Sequence, residues 1–136
     1  MPSRLNPYLN FRGQAREALE FYQSVFGGAF TVTTFGEFGE TPAGVERDDV
    51  MHGQLETSMG FTLMISDVPS AMDLTVGDNI TVSLSGDDAD ALRGYWERLS
   101  DGGTVTFPLE KQMWGDEYGQ CQDRFGIPWM VNIAGS

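Results

Sequence analysis

A tandem internal repeat constrains this chain more than any other feature. Asn6-Pro7-Tyr8-Leu9-Asn10-Phe11-Arg12-Gly13 opens the first half, and Asn79-Ile80-Thr81-Val82-Ser83-Leu84-Ser85-Gly86 opens the second. The same offset pairs Ala18-Leu19 with Ala91-Leu92, Tyr22 with Tyr95, and Thr31-Val32-Thr33 with Thr104-Val105-Thr106. Gly27-Gly28 answers to Gly102-Gly103 after a local slip. Further on, a second constant offset pairs Gly53-Gln54 with Gly119-Gln120, Gly60 with Gly126 and Met64 with Met130. Two copies of one supersecondary unit predict a pseudo-symmetric body with a site framed by both copies.

Hydrophobic periodicity fills in each copy. Alternation over Leu5–Phe11 predicts a strand, with Leu5, Pro7, Leu9 and Phe11 on one face and Asn6, Tyr8 and Asn10 on the other. Ala15, Ala18, Leu19, Tyr22, Val25 and Phe26 recur at helical spacing, and Gly27-Gly28 stops that helix. Ala29–Phe35 is rich in Thr, Val and Phe, as strands are. Val50–Glu56 and Phe61–Asp67 predict a hairpin turning through Thr57–Gly60. The stretch from Gly36 to Asp49 predicts a long irregular loop, of the kind that is often functional or mobile.

After a linker over 68–78 the pattern returns. It gives a strand at Asn79–Ser85, a helix over Asp87–Leu99 capped by Asp87 or Asp88, and strands near 105–109, 118–122 and 127–133. The expected organisation is one α+β domain over 1–136, made of two βαβββ modules at about 4–67 and 79–134.

In both copies the strand face opposite the helix is polar. Asn6, Tyr8 and Asn10 correspond to Asn79, Thr81 and Ser83, and His52, Gln54 and Glu56 to Tyr118, Gln120 and Gln122. Thr62, Met64 and Ser66 correspond to Pro128, Met130 and Asn132. Such a face either meets bulk water or curls into a cup whose polar groups orient a bound molecule. Tyr8, Met64 and Met130 favour the cup, because a wet face has no use for them.

Net charge −12 opposes nucleic-acid binding, which needs Lys and Arg against phosphate. It either draws a cationic ligand at long range or simply keeps the protein soluble. One cysteine excludes an internal disulfide. No signal peptide or membrane-length apolar run is visible, so the expected location is the cytoplasm.

Two βαβββ modules with Phe21-Tyr22, Phe26-Gly27-Gly28, Met51-His52, Leu63-Met64-Ile65-Ser66-Asp67, Trp114-Gly115-Asp116, Tyr118-Gly119 and Asp123-Arg124-Phe125-Gly126 resemble the vicinal oxygen chelate (glyoxalase/bleomycin-resistance) superfamily. Within it the chain is similar to the PhnB-like group, over essentially its whole length. The resemblance implies a curled, cup-shaped mixed sheet with helices outside, completed in a homodimer. Metalloenzymes of that superfamily hold a divalent ion from the outer strands of each module. Carried over, those places fall at Asn6 or Pro7, Met64, Asn79 and Met130, none of them His, Glu or Asp. Thioethers and amides suit such metals poorly, and one histidine does not make a two-His-one-carboxylate triad. No metal and no cofactor are therefore expected. A ubiquinone-pathway methyltransferase label is often attached to this group, yet no glycine-rich loop after a strand and no doubly wound sheet support it.

His52 is the natural proton carrier if acid–base chemistry occurs, and otherwise a hydrogen-bonded structural residue. Asn10, Gln54, Trp114, Tyr118 and Gln120 are the ligand-binding candidates. The aromatics among them either wall a pocket or plug a core or interface. Asp67 reads as a cap or turn residue and Cys121 as a buried thiol, and the acids of 37–49 lack the spacing of a calcium loop. Three functions follow: a metal-free small-molecule binder, a metal-independent lyase or isomerase using His52, and a sequestering protein for a cationic antibiotic.

Overall fold

Leu19 sets the layering of the first half. It is fully buried on α1 (Ala15–Phe26) and lies over Gly53 of β3 (Val50–Glu56), where a Cβ would stand 2.6 Å from its Cδ1 atom. The structure, a computed structural model, describes residues 3–39, 41 and 44–135. The chain divides into two compact units, Met1–Thr75 and Val76–Ser136, with the boundary inside the expected linker.

In the first unit β1 (Tyr8–Phe11), β2 (Ala29–Thr34), β3 and β4 (Thr62–Asp67) form one mixed sheet in the order β1-β4-β3-β2. The β1/β4 pair is parallel and the others antiparallel. Leu9, Phe11, Leu55, Leu63 and Ile65 are buried on one sheet face, and Ala18, Leu19, Tyr22, Val25 and Phe26 are buried on α1. Each fully buried leucine or isoleucine of this layer contributes roughly 1.5–3 kcal/mol.

The second unit repeats the plan. Here β5 (Val82–Gly86), β6 (Thr104–Lys111), β7 (Glu117–Gln122) and β8 (Pro128–Ile133) are ordered β5-β8-β7-β6, with β5/β8 parallel. Leu92, Tyr95 and Leu99 of α3 (Ala89–Ser100) are buried, as are Leu84, Cys121, Trp129, Val131 and Ile133 of the sheet. Gly119 repeats the part of Gly53, since a Cβ there would lie 2.8 Å from the Trp96 ring. The repeated diglycines have a common cause too. A Cβ on Gly28 would stand 2.0 Å from the Glu56 carbonyl oxygen, and one on Gly103 would stand 2.1 Å from that of Gln122.

The two helices start differently. Gln14 offers α1 no side-chain cap, and the Ala15 amide donates instead to buried Asp67 at the end of β4. Asp67 is thus a cap, supplied from a strand. For α3, Asp88 accepts from the Ala91 amide at 3.2 Å, as its sequence position predicts.

Three expectations need correction. β1 begins at Tyr8 rather than Leu5, because Pro7 has no amide for the ladder and only its carbonyl joins β4, accepting from Met64. β5 begins at Val82 rather than Asn79, and Ile80 is exposed. The stretch 36–49 is not wholly irregular: α2 (Phe35–Phe38) opens under a Thr34 cap, and amides of Phe35 and Gly36 donate to Asp49 and Arg47 carbonyls. Positions 40, 42 and 43 of this stretch lie outside the described residues.

Candidate functional site

Strand alternation puts one row of side chains under each helix and the next row on the far face of the sheet. In the first unit the far face holds Tyr8, Asn10, His52, Gln54 and Met64 in register: Tyr8 and Gln54 both pair with Met64, Asn10 with Ser66, and His52 with Thr33. The Tyr8 ring spans β4 to meet His52 edge-on, with centroids 5.9 Å apart and planes at 70°. His52 is half-buried, with its backbone in the ladder to β2 and its ring against Tyr8.

Gln54 is tied down. Its Nε2 donates to Glu56 Oε1, and Thr62 Oγ1 donates to Glu56 Oε2 at 2.8 Å. The Thr62 hydroxyl and the Gln54 amide hold the Glu56 carboxyl below its ordinary value, with the Arg4 charge adding to them. The Gln54 carbonyl oxygen is left as the acceptor of this group. Asn10 is exposed on the outer strand of the face.

In the second unit the corresponding face carries Tyr118, Gln120, Met130 and Asn132, with Tyr118 paired to Asn132 and Gln120 to Met130. Tyr118 stands between two rings. Phe107 lies 5.8 Å away at 74° and Trp114 6.4 Å away at 64°, both edge-to-face. Gln120 Nε2 donates to the Tyr118 hydroxyl. Trp114 is 61% exposed, so it plugs no core.

Asp116 is the polar hub here. It accepts from Asn132 Nδ2 at 3.0 Å and from the Gly135 amide at 2.8 Å. The Asn132 bond first, then the Gly135 amide, holds its carboxyl below the ordinary value. Cys121 points the other way, under α3, where burial and then the Asp123 charge push its thiol up to about 11. Asp123 is itself buried as a turn anchor, accepting from the Phe125 and Ile127 amides and the Trp129 indole.

The expected site residues thus fall into two groups, Asn10, His52 and Gln54 on the sheet of the first unit, and Tyr118 and Gln120 on that of the second, with Trp114 in the turn between β6 and β7. Four further residues belong beside them. Tyr8 and Asn132 were legible from alternation. Asp116 gains its place only when β8 brings Asn132 and the chain end back to it. Phe107 was hidden because β6 shifts register on both sides of it, which breaks the alternation. Of the places the resemblance carries over for metal, Met64 and Met130 lie on the polar faces, whereas Asn6 and Asn79 precede their strands. Among the described residues no three His, Cys, Asp or Glu side chains are grouped as a metal site requires. No helix among them is long and apolar enough to cross a membrane.

Comparison with known proteins agrees with this architecture. Protein PA1353 from Pseudomonas aeruginosa superposes with a TM-score of 0.84 at 31% identity, covering 99% of this chain and 100% of that one. The PhnB protein from Bacillus cereus gives 0.79 at 19% identity, covering 97% and 100%. A glyoxylase/bleomycin resistance protein/dioxygenase domain from Frankia gives 0.67 at 13% identity, covering 100% and 93%, a likeness of fold alone. The family model described as 3-demethylubiquinone-9 3-methyltransferase matches residues 3–132. Two βαβββ units, the relatives and that match lead to one assignment: the chain belongs to the family described as 3-demethylubiquinone-9 3-methyltransferase, with a glyoxalase-like fold.

Proposed function

We propose that this protein binds a small organic molecule through uncharged hydrogen-bonding and ring groups on its polar sheet faces, without a chelated metal. The observation that carries the reading is the repeated, half-buried polar face. Equivalent positions supply His52 and Gln54 in one unit and Tyr118 and Gln120 in the other, each in a ladder whose opposite side is core. The residues available favour hydrogen bonding over coordination, since amides, hydroxyls and thioethers dominate. The methyltransferase in the family's description is not part of the proposal. Both sheets are mixed, with one parallel pair each, unlike the doubly wound parallel sheet of dinucleotide-binding folds.

The protein acts as a homodimer in the cytoplasm under this proposal. Val76, Ile80 and Val105 are exposed apolar side chains of the kind such a dimer would cover. A thermal-shift screen over metabolites and antibiotics, run with and without divalent metals, tests the binding. A true ligand at a hundred times its Kd stabilises the fold by about 2.7 kcal/mol, equally in EDTA. Stabilisation seen only with added metal, or by no compound of a broad panel, contradicts it.

A further inference from the structure

We infer that the Phe107–Tyr118–Trp114 cluster of the second unit is a stacking subsite for a planar, uncharged heterocycle bearing an N–H beside a C=O. The inference rests on the binding function proposed above and names the chemistry of one part of it. Three observations carry it.

First, the rings are held rather than loose. Trp114 sits in a tight turn closed by the Gln112 amide donating to the Asp116 carbonyl and the Gly115 amide donating to the Gln112 carbonyl, and the Asp116 carboxylate is fixed by Asn132 Nδ2 and the Gly135 amide. Tyr118 is held by Gln120. A ring platform ordered before binding loses little freedom when a flat ligand arrives. Second, the rings are offered to solvent. Trp114 is 61% and Phe107 43% exposed, and both meet Tyr118 edge-to-face, an arrangement that leaves flat ring surface uncovered.

Third, the polar edge of the cluster has a definite donor and acceptor. Gln120 spends its Nε2 on the Tyr118 oxygen, so its carbonyl oxygen accepts from a ligand while the Tyr118 hydroxyl proton donates to one. A cis-amide edge, N–H next to C=O, matches that pair. Carboxylates at Asp116 and at Glu110, whose strand position lies opposite Tyr118, oppose an anionic ligand.

The test uses the full chain and three neutral probes: 2-quinolinone, its saturated bicyclic lactam octahydro-2-quinolinone, and N-methyl-2-quinolinone. Titrations are followed by calorimetry and by amide NMR shifts. The flat lactam should bind at least tenfold more tightly than the saturated one and than the N-methyl compound, with shifts confined to residues of β6 to β8. Trp114→Leu should weaken it tenfold or more. Because Trp114 is largely exposed, that variant should keep the parent Tm, and Gln120→Leu serves as a second check on the hydrogen-bonding edge. Equal affinity for flat and saturated lactams, binding by neither, or unchanged affinity in Trp114→Leu would overturn the inference. So would a concentration-dependent dimer that dissociates in Trp114→Leu while no lactam binds, since a second copy would then cover the rings. If other compounds of the screen still bind, with shifts on the His52 face, only the stacking subsite is lost.

Discussion

Asp67 accepts from the Ala15 amide at 3.0 Å through one carboxylate oxygen and from the Val50 amide at 2.9 Å through the other. One buried side chain at the end of β4 thereby caps α1 and fixes the entry of β3, joining three elements of the first unit. Bonds from amides to a buried carboxylate are each worth about 1.5–3 kcal/mol. Asp67→Ala should therefore lower stability by about 3 kcal/mol in urea unfolding, with the m-value unchanged. A loss below about 0.5 kcal/mol would show that water replaces the carboxylate there without cost.

The repeated glycines make a graded prediction. At Gly53 a Cβ meets the Leu19 methyl, whereas at Gly119 it meets the Trp96 ring and also the Leu109 backbone at 2.9 Å. A side-chain tip can turn aside more readily than a paired strand can move. Both alanine variants should be destabilised, by about 1–3 kcal/mol, with Gly119→Ala the more severe. Thermal unfolding of the two variants checks the order, and the reverse order would contradict this packing.

Cys121 gives a pH signature. Its folded thiol is raised to about 11 from 9.0, so the folded state holds a proton that the unfolded state has already released in that window. The contribution is fully present below pH 9 and is lost as pH rises through 11. Stability of the wild type should fall more steeply over that range than that of Cys121→Ala. In the native protein at pH 8 the thiol should react with a disulfide reagent at least tenfold more slowly than in the unfolded chain. Parallel curves and rapid native labelling would contradict its burial.

Calorimetry with S-adenosylmethionine should give no saturable heat at millimolar ligand. The two mixed sheets are built on βαβββ connections and lack the strand–glycine loop–helix unit that cradles a dinucleotide. A Kd near 10 μM or tighter would restore the activity in the family's description.

Local patterning made much of the fold legible. The bounds of α1 and β3 follow from helical spacing and from alternation, and they coincide with the structure. The repeat was legible because Gly28, Gly53, Gly103 and Gly119 are each held by a close approach that a larger residue would block. Leu5 and Ile80 misled because apolar residues continue the alternation past the point where the ladder stops. α2 was hidden in a loop that depends on backbone bonds to Arg47 and Asp49. In the candidate site, alternation placed His52, Gln54, Tyr118 and Gln120 on polar faces. The Tyr8–His52 contact and the Asp116 hub depend on strand order and chain return, which no local pattern encodes.

The central claim is ligand capture by uncharged groups without a coordinated ion. Its most direct test is metal analysis of untagged protein together with titration of a screened ligand before and after EDTA treatment. Substoichiometric metal and an unchanged Kd are expected, with NMR shifts on the faces bearing His52 or Tyr118. One tightly held divalent ion per chain, with ligand affinity lost on its removal and restored by adding it back, would contradict it.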